Sequence, residues 1–278
     1  GDDFRYYNVT IERPLRLRSQ FNALKIDEML YDSSDLEMSK WLYQTYSERV
    51  FSGLDDEIPA IKEYLNENEI KMTDKKLTKL ISVKAWEDRR TLQNAAKALM
   101  KAIGTEVFMD YNVFSERVAS TAKTLKLDIK AADIKSIARA MSVTDPAAAP
   151  VIKKEHKANS KDIEQLESVY GIAPEVIEDY GYTKQGKGYV EYESDSDLRD
   201  SEKIPVKEDI YEYFQREVRP YVADAWINLP PTKIGCEISF NKYFYKPAPL
   251  RSLAENEADI LALDEKSQGF IKSLFELI

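Results

Sequence analysis

The spacing of apolar residues changes period along the chain, and this change limits the fold more than any single motif does. From Arg5 to Arg13, Tyr7, Val9 and Ile11 alternate with Tyr6, Asn8, Thr10 and Glu12, the period of two of a half-buried strand, and the pattern stops at Pro14. From Leu36 to Ile103 the spacing becomes three and four. Leu36, Trp41 and Leu42 are followed by Leu77, Leu80 and Ile81, then by Leu92, Ala96, Leu99 and Ile103, with Gly104 placed to end a helix in the left-handed conformation. One further helix is predicted after Asn112, with Phe114, Val118, Ala122 and Leu125 on one face, and another carries Ile134, Ile137, Ala138 and Met141. Period two returns at Tyr189 to Glu193 and at Gly235 to Tyr245, where Cys236, Ile238 and Phe240 share a side. A helix bearing Ile210, Tyr213, Phe214 and Val218 lies between them. Two or three strands among many helices predict an α+β fold, mainly α-helical, with a small antiparallel sheet.

At about 150 residues per domain the chain is long enough for roughly two domains. The prolines of Asp145-Pro146-Ala147-Ala148-Ala149-Pro150 cannot continue a helix, so this segment is the expected break between subdomains. Behind it Asn159 or Ser160 caps a helix ending at Gly171, and Pro174 suits a first turn. The expected organisation is a β segment over 1–20, a helical domain over 21–145, an α+β subdomain over 146–247 and a C-terminal helix over 248–278.

That last helix carries a seam. Positions 253, 256, 260, 263, 267, 270, 274 and 277 are Leu, Asn, Ile, Leu, Ser, Phe, Leu and Leu, the three-four alternation of a coiled-coil face. Asn256 and Ser267 weaken it and can fix its register, while Leu261, Ile271, Phe275 and Ile278 widen the stripe. The pattern fits a helix that docks a partner, and by periodicity alone it fits slightly better one that folds back on its own domain. A homodimer through residues 250–278 is a third use of an unpaired stripe.

Charge is segregated. The chain has 40 Lys and Arg against 49 Asp and Glu, a net of −9, yet residues 71–101 hold nine basic residues against three acids, and residues 117–161 hold ten against four. Such islands suit phosphate contact, with Lys75, Lys76, Lys79, Arg89, Arg90, Lys153, Lys154 and Lys157 as the candidates for a DNA backbone. On charge alone they suit the solvated outer faces of helices better.

Catalytic signatures are sparse. The single histidine, His156, stands in the basic stretch Lys153-Lys154-Glu155-His156-Lys157, which reads as an exposed loop. No Cys and His cluster suggests zinc, and a Ser-His-acid triad would have to use that loop. Gly186-Lys187-Gly188 reads as a turn rather than a phosphate cradle, and Asp55-Asp56 and the pair Asp195 and Asp197 are ordinary surface acids. Asn228-Leu229-Pro230-Pro231-Thr232 lacks the adjacency and the aromatic ring of the Asn-Pro-Pro-aromatic signature and reads as a loop. No run of about 18 apolar residues occurs, so no membrane span is expected. The lone Cys236 cannot form an internal disulfide and no signal peptide is evident, so a cytoplasmic setting is expected. The start at Gly1 rather than Met points to a piece of a longer protein.

Several stretches, taken in order, resemble one family. They are Val9-Thr10-Ile11-Glu12-Arg13-Pro14-Leu15-Arg16, Ala98-Leu99-Met100-Lys101-Ala102-Ile103-Gly104-Thr105-Glu106, Pro150-Val151-Ile152-Lys153-Lys154, and Asp195-Ser196-Asp197-Leu198-Arg199-Asp200-Ser201-Glu202. Ile204-Pro205-Val206-Lys207-Glu208-Asp209-Ile210 leads on through Pro220 to Asp224-Ala225-Trp226. Gly235-Cys236-Glu237-Ile238-Ser239-Phe240, Tyr243-Phe244-Tyr245-Lys246 and Pro249-Leu250 complete the set. Together they resemble the part after the catalytic domain in the modification subunit of type I restriction-modification systems, a prokaryotic N6-adenine DNA methyltransferase. Residues 22–85 match weakly, as a lineage-specific insertion would.

The resemblance implies a chain without its own catalytic, metal or cofactor residues, inactive alone. S-adenosylmethionine is expected for the full-length subunit, held by upstream motifs that no residue here matches. It implies contact with the specificity subunit, and the seam read from spacing offers Leu253, Ile260, Leu263, Phe270, Leu274 and Leu277 for that contact. A second modification subunit, the restriction subunit and DNA are the further partners it implies. Two alternatives come from other classes: a stand-alone nucleic-acid-binding helical module using the basic islands, and an enzyme of unrecognised type.

Overall fold

The computed structural model describes residues 4–237 and 252–275. Helix accounts for about 53% and strand for 20%, in small antiparallel sheets, so the class is α+β and mainly helical. The chain forms two compact units, a large one over Tyr6–Gly235 and a small one made by the terminal segments.

The large unit opens with β1 (Arg5–Glu12) and β2 (Leu17–Ser19). Seven helices follow: α1 (Ala23–Glu28), α2 (Leu36–Tyr46), α3 (Ile58–Glu67), α4 (Asp74–Ile81), α5 (Val83–Ile103), α6 (Tyr111–Thr124) and α7 (Ala131–Ala140). The chain then runs through β3 (Ser142–Thr144), β4 (Ile152–Lys157), α8 (Lys161–Tyr170), β5 (Tyr182–Gln185), β6 (Gly188–Tyr192) and β7 (Asp200–Pro205). α9 (Ile210–Tyr213), extended by a π turn at Phe214–Val218, and β8 (Trp226–Cys236) complete it. Among the described residues the strands form three sheets, ordered β7-β1-β8, β2-β3 and β4-β6-β5.

Among the described residues three hydrophobic cores explain this arrangement. One gathers Phe21, Ile26, Ala96, Leu99, Phe114, Val118, Ile137 and Met141 from α1, α5, α6 and α7 and their borders. A second gathers Leu42, Val50, Leu54, Ile61, Leu77, Leu80 and Trp86, so the stretch 22–85 closes largely around itself. Each such buried side chain stabilises by about 1.5–3 kcal/mol. α5 joins the two cores, because its 21 residues are long enough to place Trp86 in one and Leu99 in the other. The third core lies under β1: Val9 and Ile11 pack with Ile204, Phe214, Val218 and Ile227. The alternation read at Val9 and Ile11 is thus a strand paired antiparallel with β7, from Tyr6 opposite Pro205 to Ile11 opposite Asp200.

Local signals appear where the chemistry requires them. α8 has Ser160 at its N-cap and ends at Gly171 in the left-handed conformation, and Pro174 opens the short 3-10 helix Pro174–Tyr180. Gly186 and Lys187 form the two-residue turn between β5 and β6, with Gly186 at a φ of 59°. Gly104 ends α5 with a positive φ of 92° but a ψ of −167°, outside the left-handed helical region expected for it. α6 begins at Tyr111, and its cap is Asp110, whose carboxylate accepts from the N–H groups of Asn112 and Val113.

Along Asp145 to Val151, Asp145 N–H donates to Arg16 O at 3.0 Å, Ala149 N–H to Met109 O at 2.7 Å and Val151 N–H to Leu15 O at 2.8 Å. Other expectations need correction. The basic stretch at Lys153–Lys157 is not a loop but most of β4, paired with β6. Asn228 to Thr232 is not a loop either; it lies inside β8. β8 is an edge strand of its sheet, where Pro230 and Pro231 remove no ladder hydrogen bond that a central strand would need. Of the strand expected over Gly235 to Tyr245, Gly235 and Cys236 end β8, and residues 238–245 lie outside the described residues.

In the small unit, Glu237 N–H donates to Phe4 O at 2.9 Å. Its main element is the helix α10 (Leu253–Phe275). Ser252 starts it with a reciprocal capping box: Glu255 N–H donates to Ser252 Oγ at 3.2 Å, and Glu255 Oε2 accepts from Ser252 N–H at 2.8 Å.

Candidate functional site

α10 presents the apolar stripe that the sequence spacing marks. Leu253 is 89% exposed, Ile260 and Leu263 are 66% exposed, and Leu261 beside them is 58% exposed. At about 100° per residue, positions 253, 260 and 263 lie within about 80° of one another around the helix. Phe270 and Leu274 fall on the same helix backbone, and Leu277 lies outside the described residues.

The basic candidates divide into two groups. Lys75, Lys76 and Lys79 stand on α4 and Arg89 and Arg90 on α5, two helices that touch, whereas Lys153, Lys154 and Lys157 stand on β4. Acids drawn from distant segments neutralise most of them. Lys76 pairs with Asp35 at 2.8 Å and Arg90 with Glu48 at 3.2 Å, while Lys153 pairs with Glu191 at 2.5 Å and Lys154 with Asp162 at 2.6 Å. Arg90 also stacks over the Phe51 ring at 3.7 Å. Arg89 is turned inward, over the Trp86 ring and onto Asp32. Lys75, Lys79 and Lys157 are exposed, with no ion-pair partner among the described residues. A charge sum along the sequence therefore overstates the local positive field, because the compensating acids lie outside the basic runs, Asp35, Glu48 and Glu191 far from them.

His156 corrects its expected placement most sharply. Its side chain is only 2% exposed, with Nδ1 3.1 Å from Asp162 Oδ2 and Nε2 3.2 Å from Glu191 Oε2. The ring meets Tyr182 edge to face, 5.3 Å between centroids. It is a packed strand residue that ties α8 to the β4-β6-β5 sheet. Asp195 is also structural: its buried carboxylate accepts from Asp197 N–H at 2.9 Å. Among the described residues no group of three or more His, Cys, Asp or Glu is placed to hold a metal ion. No described helix is long and apolar enough to cross a membrane.

One grouping has no signal in the sequence. Glu12, Tyr182 and Trp226 come from three distant segments and line a common cavity. No periodicity or motif links them, and only the pairing of β1 with β7 and β8 and the β5–β6 hairpin brings them together.

No family model, curated protein or solved structure matches this chain.

Proposed function

We propose that this chain is the assembly region that follows the catalytic domain of a type I DNA modification subunit, and that it docks the specificity subunit through α10. The observation that carries the reading is the uncovered apolar stripe of a 23-residue helix, with Leu253, Ile260 and Leu263 exposed by 66–89%. Leaving such side chains in water forgoes about 1.5–3 kcal/mol each, and a second helix in coiled-coil packing recovers it. The ordered family-like stretches from Val9 to Leu250 support the same assignment. In this reading the chain performs no chemistry itself; S-adenosylmethionine and the target adenine are handled by the upstream domain. A second modification subunit and the restriction subunit join through the same assembly, and Lys75, Lys79 and Lys157 are the cations free to meet DNA phosphates.

Co-expression of the chain with the specificity subunit, followed by affinity purification, tests the proposal. The two are expected to co-purify, and the double variant Leu263→Asp with Leu274→Asp is expected to abolish recovery. Unchanged recovery from that variant overturns the docking assignment.

A further inference from the structure

The cavity around Glu12 and Trp226 lies within the large unit and is independent of α10. Its volume is about 260 Å³. That is just below the usual ~300–1,000 Å³ of small-molecule pockets, so it suits the tip of one side chain or a small ion rather than a nucleotide. Tyr170, Tyr180, Tyr182, Tyr192 and Trp226 supply aromatic walls. None of the four tyrosine hydroxyls, nor the indole N–H of the buried Trp226, has a hydrogen-bond partner among the described residues. None of them is among the buried atoms left without a partner, so each reaches solvent and can exchange water for a ligand.

Two carboxylates line this place, each with a cation of the chain beside it. The Glu12 side chain is 8% exposed; its Oε1 accepts from Arg199 Nε at 3.1 Å, while its Oε2 takes no hydrogen bond among the described residues. Glu191, on the opposite strand system, already holds an ammonium, that of Lys153, whose side chain is 59% exposed at the rim. Burial first, and then nearby carboxylates, push the Tyr180 and Tyr182 hydroxyls up to about 12, so both remain neutral donors. The carboxylates are Asp209 and Asp179 for Tyr180, and Glu191 and Asp162 for Tyr182. Among the described residues no cation lies over any of these five rings, although five other rings of the chain carry one. Gly181 shapes the back wall. Its φ is 91°, and a Cβ there would stand 2.9 Å from Trp226 Cδ1, so only glycine lets the indole lie against the backbone.

We propose that this cavity binds a guanidinium group, stacked on the tyrosine and tryptophan faces and hydrogen-bonded to Glu12 Oε2. A guanidinium is planar, weakly hydrated and able to stack and donate at once, which an ammonium does less well. The group comes either from an arginine side chain of a bound polypeptide or from a free small guanidine.

The test follows the indole N–H resonances of the full chain by two-dimensional NMR. Three are expected, for Trp41, Trp86 and Trp226, and Trp226→Phe assigns the relevant one. Titration with N-acetylarginine amide is expected to move the Trp226 signal and leave the other two in place. The neutral isostere N-acetylcitrulline amide is expected to bind about tenfold more weakly or not at all, the difference made by one hydrogen bond to a charged group. Glu12→Gln is expected to weaken arginine amide about tenfold. Tyr170→Ala, at the exposed rim and cheap for the fold, is expected to weaken it about threefold with the Trp41 and Trp86 signals unmoved. Tighter binding of an arginine-centred tripeptide than of the amide assigns the source to a polypeptide, and preference for free ethylguanidinium assigns it to a small molecule. No movement with arginine amide, or equal movement with the citrulline compound, overturns the proposal.

Discussion

Arg89 donates through Nη2 to Asp32 Oδ2 at 2.7 Å across 57 residues of sequence, with the two side chains only 14% and 16% exposed. The pair pins the first half of α5 to the turn before α2, at the edge of the core that holds Trp86. Asp32 also accepts from Ser34 N–H at 2.9 Å and Ser34 Oγ at 2.6 Å, so its charge is well satisfied. Arg89, by contrast, keeps a buried Nη1 without a partner.

Removing one member of this pair leaves a charge with no counterpart in a mostly buried place. Arg89→Leu is expected to lower unfolding free energy by about 3 kcal/mol in urea titration. Lys75→Ala, on the exposed face of the neighbouring helix, is expected to change it by less than about 0.5 kcal/mol.

Acid stability follows from the same carboxylate. Burial pushes Asp32 up, but the two Ser34 hydrogen bonds and the charges of Arg89 and Lys79 outweigh it and hold the group below its ordinary value. A depressed carboxylate stabilises the fold fully above its unfolded value of about 3.9, and that contribution is lost as pH falls through the lower folded value. Urea midpoints are therefore expected to drop below about pH 4, and Asp32→Asn is expected to flatten that acid limb while lowering stability near neutrality.

Gly181→Ala places a methyl group 2.9 Å from Trp226 at a φ of 91°, so both steric crowding and backbone resist it. Loss of about 1–3 kcal/mol in urea titration is expected, with a blue or red displacement of the tryptophan emission that Trp226→Phe removes.

The cations without ion-pair partners should meet any DNA phosphates. In the complex with the specificity subunit, replacing Lys75, Lys79 and Lys157 by Ala is expected to reduce the slope of log affinity for DNA against log salt by about 0.9 for each phosphate left without its lysine. Replacing the paired Lys76 and Lys154 is expected to leave the slope near its original value, measured by fluorescence anisotropy between about 50 and 200 mM salt.

Legibility in the sequence tracks how local each signal is. Pro14 after an alternating run, the Phe114-Val118-Ala122 stripe and the Ser160 and Gly171 caps are decided within a few residues, and the structure has them where the spacing places them. His156 reads as surface in the sequence because its partners Asp162 and Glu191 lie on other elements, and a run of lysines around it looks solvated when those partners are unseen. Pro230 and Pro231 suggest a loop because strand order, which makes β8 an edge, is a tertiary property. The stripe on α10 is visible because a helix repeats its face at fixed spacing; the cavity at Glu12 is not, since its walls meet only through pairing of β1 with β7 and β8.

Hydrogen–deuterium exchange of the full chain, alone and with the specificity subunit, tests the docking of α10 most directly. The account predicts that amides across 253–275 exchange much more slowly in the complex, and that Ile260→Asp with Leu263→Asp removes this protection without altering the helices of the large unit. Binding of the specificity subunit with no change in the exchange of α10 would contradict it.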